Sequence, residues 1–245
     1  MIFTDQDLVF NGFNFSELVH VEHIRTQLTP SISYASQTIP GRTGVRLGKR
    51  QVGARVIEVD IRMIETSRAD VTDVATVIAG RLITDGLAKL VTRRDRDRWW
   101  MALYQGSPDL EQFYDTGFAT LEFLAPGGAM YSDEVTAPLA DGASVLAAQG
   151  TYESSPVIEL SLAGAVVEAS AMINGQRVML RSFSGAWPIG TVIEIDMDAR
   201  TVRINGELAQ HAIQIGSRFG VLLPGSNQIV LVGGSGEIRY MPRWL

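Results

Sequence analysis

Alternation of apolar and polar residues is the feature of this sequence that most constrains its fold. It is clearest in RVIEVDIRMIE, residues 55–65, where Ile57, Val59, Ile61 and Met63 alternate with charged residues. A period of two sends successive side chains to opposite faces, as in a strand with one buried and one solvated face. The pattern recurs in GFATLEFLA (117–125), PVIELSLAG (156–164), TVIEIDMDA (191–199) and TVRIN (201–205). The sequence therefore predicts a mainly β fold of antiparallel strands.

A single segment has helical spacing instead. In ADVTDVATVIAGRLITDG, residues 69–86, apolar residues recur three or four positions apart. Asp70 is placed to cap the start of a helix, and Gly86 is placed to end it. We therefore expect a first domain of strands plus one amphipathic helix, whose apolar stripe covers a sheet or a neighbouring subunit.

The chain changes character between residues 131 and 150. The segment SDEVTAPLADGASVLAAQG shows little alternation and is interrupted by Pro138 and Gly142. We interpret residues 134–146 as a linker between a first domain, residues 1–133, and a second domain, residues 147–245. Short strands with turn signals at Asn174-Gly175 and Asn205-Gly206 predict that the second domain is a β-sandwich of about 95 residues.

Composition excludes several classes of chemistry. The chain has no cysteine, which removes disulfides, thiolate catalysis and cysteine-bound metals and fits synthesis in a reducing cytoplasm. The net charge of −6 argues against nonspecific binding to nucleic acid. We find neither a signal-peptide pattern nor an apolar stretch of about 18 residues, so we expect neither export by signal peptide nor insertion in a membrane.

A cluster of four arginines stands at residues 93–98, RRDRDR, just before Trp99 and Trp100. Asp95 and Asp97 neutralise half of its charge, so a polar hairpin tip whose second strand enters the core is the preferred interpretation. The arginines could equally meet carboxylates of another subunit.

The glycine-rich stretch at residues 220–240, GVLLPGSNQIVLVGGSGEIRY, does not match a phosphate-binding loop. Gly236 is followed by Glu237 and Ile238 rather than by Lys-Ser/Thr, and no helix follows. We interpret it as strands that turn at Pro224-Gly225 and again at residues 233–236.

Two further patterns resemble metal-binding motifs but do not match them. A regular strand would place His20 and His23 on opposite faces, and DMDAR at Asp196 departs from a calcium loop at Arg200 and Thr201. DMDAR is instead predicted to be a hairpin loop. We expect no metal, cofactor or catalytic residues, although the 27 carboxylates leave many acid–base pairings that only a fold can test.

The order of motifs over nearly the whole chain resembles one family. These motifs are LVFNGFNFSEL (8–18), QTIPGRTG (37–44), RVIEVDIRM (55–63), the helix, GFATLEFLAPGGAMYSD (117–133), GTYESSPVIELSLAG (150–164), VIEIDMDARTVRING (192–206), LLPGSN (222–227) and IRYMPRWL (238–245). In this order they resemble the distal tail proteins of long-tailed bacteriophages.

The resemblance implies a ring-forming N-terminal domain, a β-sandwich or sheet with one helix, followed by a galectin-like β-sandwich. It implies a homohexameric hub at the virion tail tip that joins the tail tube to the baseplate or fibre. The implied partners are the tail tube protein, the tail hub or tail-associated lysin, the tape measure protein, and receptor-binding or fibre proteins. No catalysis and no cofactor are implied.

Two sets of residues are candidates for contacts with partners. Arg42, Arg46, Lys49 and Arg50 lie in IPGRTGVRLGKRQVG, residues 39–53, which is either a docking segment or a solvated loop, and Arg93 and Arg94 form the second basic set. Trp187, in the predicted turn GAWPIG, is a candidate platform for a sugar. We favour a scaffold role for the second domain. The alternatives are a carbohydrate-binding adhesin and a glycan-cleaving enzyme with two facing carboxylates.

Overall fold

The computed structural model of the chain describes residues 7–63, 68–106, 111–113 and 116–245. The chain divides into two units, residues 1–131 with residue 245, and residues 132–244. Both units are built mainly of strands, which confirms the predicted fold class.

The described strands of the first unit are β1 (Leu8–Phe10), β2 (Phe13–Asn14), β3 (Val19–Thr26), β4 (Ile32–Thr38), β5 (Val45–Val52), β6 (Arg55–Met63), β7 (Ala88–Thr92), β8 (Asp95–Gln105), β9 (Glu111–Phe113), β10 (Thr116–Ala125) and β11 (Met130–Tyr131). The helix α1 spans Arg68–Leu82, and a 3₁₀ turn spans Phe15–Glu17. The main antiparallel sheet has the order β2-β1-β7-β8-β10-β6-β3, with β9 beside β10 and β11 beside β8.

Strand β6 has the alternation that its sequence predicts. Its odd-numbered residues are buried throughout, and Ile57, Val59 and Ile61 lie in the core of the first unit. Aromatic packing adds to this core, because the rings of Phe10 and Phe123 are 5.0 Å apart between centroids.

Helix α1 differs from its predicted bounds at both ends. The helix begins at Arg68, so Asp70 lies inside its first turn and the prediction that Asp70 precedes the helix is wrong. An acidic residue is favourable in a first turn as well as at the cap, and the sequence signal does not separate these positions. The helix ends at Leu82, before the predicted stop at Gly86. The predicted stripe is buried at Val71, Val74, Ile78 and Leu82.

The strands of the second unit are β12 (Val135–Leu139), β13 (Gly142–Ala148), β14 (Val157–Leu162), β15 (Glu168–Ile173), β16 (Gln176–Arg181), β17 (Val192–Asp196), β18 (Thr201–Ile204), β19 (Glu207–Leu208), β20 (Gly225–Val232), β21 (Gly234–Tyr240) and β22 (Arg243–Trp244). A six-stranded sheet, β12-β21-β14-β17-β18-β19, and a four-stranded sheet, β13-β20-β15-β16, bury a shared hydrophobic core. The second unit is therefore a β-sandwich, as predicted.

The proposed linker at residues 134–146 is wrong. These residues form β12 and most of β13, which are edge strands of the two sheets. Pro138 is tolerated because β12 is an edge strand, where a missing amide can face solvent. In β13 the exposed positions are Ala143, Val145 and Ala147, so apolar residues on the solvated face hide the alternation.

The predicted turns of the second unit are largely confirmed. Asn174 and Gly175 have φ values of 49° and 82°, and Asn205 and Gly206 have 50° and 84°, as in two-residue type I′ hairpins. The loop after Asp196 is a hairpin turn, in which the Asp196 carboxylate accepts hydrogen bonds from the two amides at residues 198 and 199.

The last glycine-rich corner is shorter than predicted. Gly233, at φ 109°, turns the chain, whereas Gly234 and Gly236 already belong to β21. A Cβ at Gly234 would meet the Ser161 carbonyl oxygen, and one at Gly236 would meet that of Glu159. These two glycines therefore allow close approach of strand β14 rather than a turn.

Candidate functional site: an exposed two-stranded arm

Residues 30–53, here called the arm, form a hairpin of their own. Strands β4 and β5 pair with each other and with no further strand in the part of the chain that the structure describes. Nearly every residue of the two strands is exposed. The predicted loop at residues 39–53 is therefore mostly a regular strand, and its irregular tip is limited to residues 39–44.

The arm has one face rich in exposed apolar side chains. Ile32 lies opposite Val52, and Thr38 lies opposite Val45. A bulge in β5, where Gly48 and Lys49 lie opposite the single residue Ala35, keeps Tyr34 and Leu47 on this same side. The exposed fractions of Ile32, Tyr34, Val45 and Leu47 are 49%, 53%, 59% and 62%. An isolated two-stranded hairpin is only marginally stable in water, so this face needs a cover.

The arm is also strongly basic. Arg42, Arg46, Lys49 and Arg50 all lie on it, and residues 30–53 contain no aspartate or glutamate. Subtracting these four charges from the net −6 leaves −10 on the rest of the chain. The structure thus gathers four predicted contact residues on one element, and Arg42 and Arg46 line the same tip cavity of about 330 Å³.

The root of the arm is fixed by close packing. The Gly53 amide donates to the Ser31 carbonyl at 2.8 Å, which closes the hairpin. Gly128 packs against this closure with φ +63°, and a Cβ at Gly128 would lie 2.6 Å from the Gly53 carbonyl oxygen and 3.2 Å from the Pro30 Cβ. The position of the arm therefore depends on glycine at residue 128.

Arg55 follows the arm directly and is 3% exposed. Its Nη2 donates to the Leu28 carbonyl at 3.3 Å, and its guanidinium lies over the Trp100 ring. Its Nε is buried with no hydrogen-bond partner among the described residues. Burial lowers the pKa of Arg55, because the charged form loses hydration.

The second predicted basic set lies on another element. Arg93 and Arg94 form the tip between β7 and β8, which confirms the predicted hairpin. Arg93 donates from Nη2 to the Glu22 carbonyl at 3.0 Å, so it is engaged within its own domain, and Arg94 is exposed at the tip. Neither Arg93 nor Arg94 lines the tip cavity of the arm.

The prediction that His20 and His23 face opposite sides is wrong. A bulge between Val21 and His23 pairs His20 with Arg62 and His23 with Asp60, two residues on the same face of β6. Both histidines therefore flank Glu22, whose carboxylate accepts a hydrogen bond from Arg62 at 2.8 Å. Residues 7–63, 68–106, 111–113 and 116–245 include no group of three or more His, Asp or Glu suited to a metal ion.

Trp187 is half-buried and is held by two backbone hydrogen bonds with Val166, at 2.8 and 3.1 Å, rather than lying free in a turn. It lines an open cleft together with Asn205, Glu207 and His211. Sequence reasoning missed these neighbours because they lie on other elements, the β18–β19 hairpin for Asn205 and Glu207 and the 3₁₀ turn Gln210–Ala212 for His211. It also missed the apolar face of the arm, although ISYASQT and VRLGKRQV on either side of IPGRTG show the alternation that could have revealed it.

No helix within the described ranges is long and apolar enough to cross a bilayer.

Comparison with known families agrees with this architecture. Residues 11–125 match the phage tail protein RIFT-related domain, and residues 149–244 match the siphovirus-type tail component, C-terminal domain. Both matches define the class, which is that of the tail proteins of long-tailed phages. The chain belongs to the siphophage tail component family of distal tail proteins, and its location is the virion tail tip.

A solved structure shows the same fold. The crystal structure of the Dit protein of phage SPP1, described as a paradigm of the hub adsorption apparatus in phages infecting Gram-positive bacteria, superposes with a TM-score of 0.83 and 16% identity, covering 98% of this chain and 99% of that chain. The phage p2 baseplate in its activated conformation with Sr gives a TM-score of 0.46 and 8% identity, covering 94% of this chain and 92% of that chain. A comparison with curated protein sequences gives no match.

Proposed function

We propose that the protein is a structural hub of the tail tip, a homohexameric ring in which the arm of each subunit lies on a neighbouring subunit. The observation that carries this proposal is the arm itself. It is a regular hairpin with an exposed apolar face and no cover within the described chain. Packing against another chain would bury that face and stabilise the two strands.

Charge supports a second copy of the chain as the neighbour. All four charged side chains of the arm are positive, and the rest of each subunit carries a net charge of −10. An arm of one subunit and the body of the next therefore attract each other, and the same head-to-tail contact repeated around an axis closes a ring. The sixfold number comes from the family resemblance.

We further propose that the ring joins the tail tube protein on one side to the tail hub or tail-associated lysin on the other. The tape measure protein would end in its channel, and receptor-binding or fibre proteins would attach outside. These partners come from the family resemblance, and the two matched domains, both named for phage tail proteins, support them. The role is that of a scaffold rather than an enzyme.

The test is mass photometry of the purified full chain over a range of concentrations, with negative-stain electron microscopy. We expect sixfold rings for the wild type. The double variant Val45→Ser, Leu47→Ser polarises the apolar face and should weaken assembly by about tenfold or more, equivalent to about 1.4 kcal/mol. The matched control Gln37→Ser lies on the opposite face of the arm and should assemble normally.

Two results would count against the proposal. If the protein is a monomer at every concentration, with and without added tail tube protein, it does not form the proposed ring. If the Val45→Ser, Leu47→Ser variant forms rings as well as the wild type does, the ring stands but the arm is not part of the subunit interface. If the charges contribute, assembly should also weaken as salt is raised.

A further inference from the structure

We propose that the second domain binds a neutral saccharide in the cleft lined by Trp187, Ile204, Asn205, Glu207, Leu208 and His211, here called the Trp187 cleft. The cleft has a volume of about 480 Å³, within the range of small-molecule sites. It lies within the second domain, and the proposal does not depend on ring formation.

The apolar wall of the cleft suits the C–H face of a sugar ring. The indole of Trp187 packs partly on the sandwich core, and the backbone of Trp187 is held by its bridge to Val166. Packing therefore limits the positions that the indole can take before a ligand arrives. Leu208 is 58% exposed beside it. The face of an aromatic ring is electronegative, and the C–H groups of a sugar carry partial positive charge, so the two attract.

The polar side chains of the cleft suit hydroxyl groups. In the described part of the chain, the Glu207 carboxylate, the His211 imidazole and the Trp187 indole N–H make no hydrogen bond or ion pair. The Asn205 Oδ1 accepts from the Val192 amide at 3.0 Å, which orients the amide group and leaves its Nδ2 as a donor. A hydroxyl both donates and accepts, so it can use a carboxylate, an amide donor and an imidazole together.

A saccharide fits this cleft better than a peptide does. Peptides that bind at a sheet edge gain affinity from a run of backbone hydrogen bonds. The edge strand here, β19, has two residues, Glu207 and Leu208, so it offers few such bonds. The single carboxylate also disfavours anionic sugars, which leaves neutral, hydroxyl-rich sugars as the preferred class.

The test is saturation-transfer NMR with the purified full chain and a panel of neutral oligosaccharides, namely chitotetraose, cellotetraose, maltotetraose and dextran oligomers. We expect saturation transfer to at least one of them. His211→Ala and Glu207→Ala, both at exposed positions, should each weaken binding by about tenfold, the effect of losing about 1.4 kcal/mol. Trp187→Ala should abolish it.

Phe183→Ala is the matched control, because Phe183 is an aromatic residue of the same loop, 71% exposed, and does not line the cleft. It should bind as the wild type does. Absence of transfer to every oligosaccharide at concentrations up to about 10 mM would overturn the proposal. So would binding that is unchanged in His211→Ala and Glu207→Ala, or binding of an extended peptide at the cleft with no response to saccharides.

Discussion

The guanidinium carbon of Arg55 lies 5.1 Å from the centroid of the Trp100 ring, so that a buried cation rests on an aromatic face at the root of the arm. The same guanidinium donates to the Leu28 carbonyl just before the arm. Arg55, the first residue of β6 after the arm, therefore connects β6 to Leu28 in the segment before the arm.

Replacing Arg55 should separate the effect of its volume from that of its charge. Arg55→Ala should lower the free energy of unfolding by about 2 to 4 kcal/mol, because it leaves a cavity. Arg55→Met keeps most of the volume and removes a poorly hydrated charge, so it should lie within about 1 kcal/mol of the wild type. Urea denaturation measures both. An equal loss in the two variants would show that the charge itself is needed.

Gly128→Ala should destabilise the root of the arm. The new Cβ would lie 2.6 Å from the Gly53 carbonyl oxygen, at a φ of +63° that side chains rarely adopt. We expect a loss of about 2 to 4 kcal/mol, measured by thermal and chemical denaturation. Gly12→Ala is the control, because its φ is +76° with no atom near its Cβ, and it should cost about 1 kcal/mol. Equal losses would mean that strain alone, and not the clash, is responsible.

Asn227 should be a stability determinant of the second domain. It is 1% exposed, and its Oδ1 accepts from the Leu223 amide and from Asn174 Nδ2, while its Nδ2 donates to the carbonyls of Leu223 and Gly225. Asn227→Ala leaves these groups unpaired and should cost about 2 to 4 kcal/mol in chemical denaturation. The exposed neighbour Ser226→Ala should change stability by less than about 0.5 kcal/mol.

The Glu22–Arg62 pair should give the first domain a stability that is lost in acid. The hydrogen bond from Arg62 lowers the pKa of Glu22 below its ordinary value of 4.5. A carboxylate with a lowered pKa in the folded state stabilises the fold above its ordinary pKa, and this contribution disappears as the pH falls through the lowered value. The difference in melting temperature between wild type and Glu22→Gln should therefore be present at pH 7 and vanish in acid.

Arg62→Met should show the same pH dependence, because it removes the other partner of the pair. The effect should be small, since both side chains are partly exposed. A difference in melting temperature that is constant from pH 7 down into strong acid would exclude this pair as its source.

Sequence periodicity was a sound guide where one face of a strand is buried. Strand β6 and the two Asn-Gly hairpins follow from local chemistry alone, because alternation and positive φ are properties of neighbouring residues. Periodicity does not predict strands whose residues are acceptable only because of their place in the sheet. The strands β12 and β13 were hidden by Pro138 and by exposed apolar residues, both of which are acceptable only at a sheet edge.

The functional surfaces were only partly accessible to sequence analysis. The basic residues of the arm are found because charge is visible in the sequence, whereas its apolar face also depends on a cross-strand register with a bulge in β5 opposite Ala35. A second bulge, between Val21 and His23, reversed the predicted direction of a histidine. One extra residue in a strand is enough to exchange its two faces. Gly48 is a local signal for the bulge in β5, whereas the sequence around Glu22 carries no such signal.

The proline in β12 has a consequence for how this protein avoids unwanted polymers. An open sheet edge is a template onto which another chain can add. Pro138 removes one outward donor from one edge of the six-stranded sheet, and the opposite edge, β19, is only two residues long. Neither edge of the six-stranded sheet is therefore a good template for pairing with a strand of another chain.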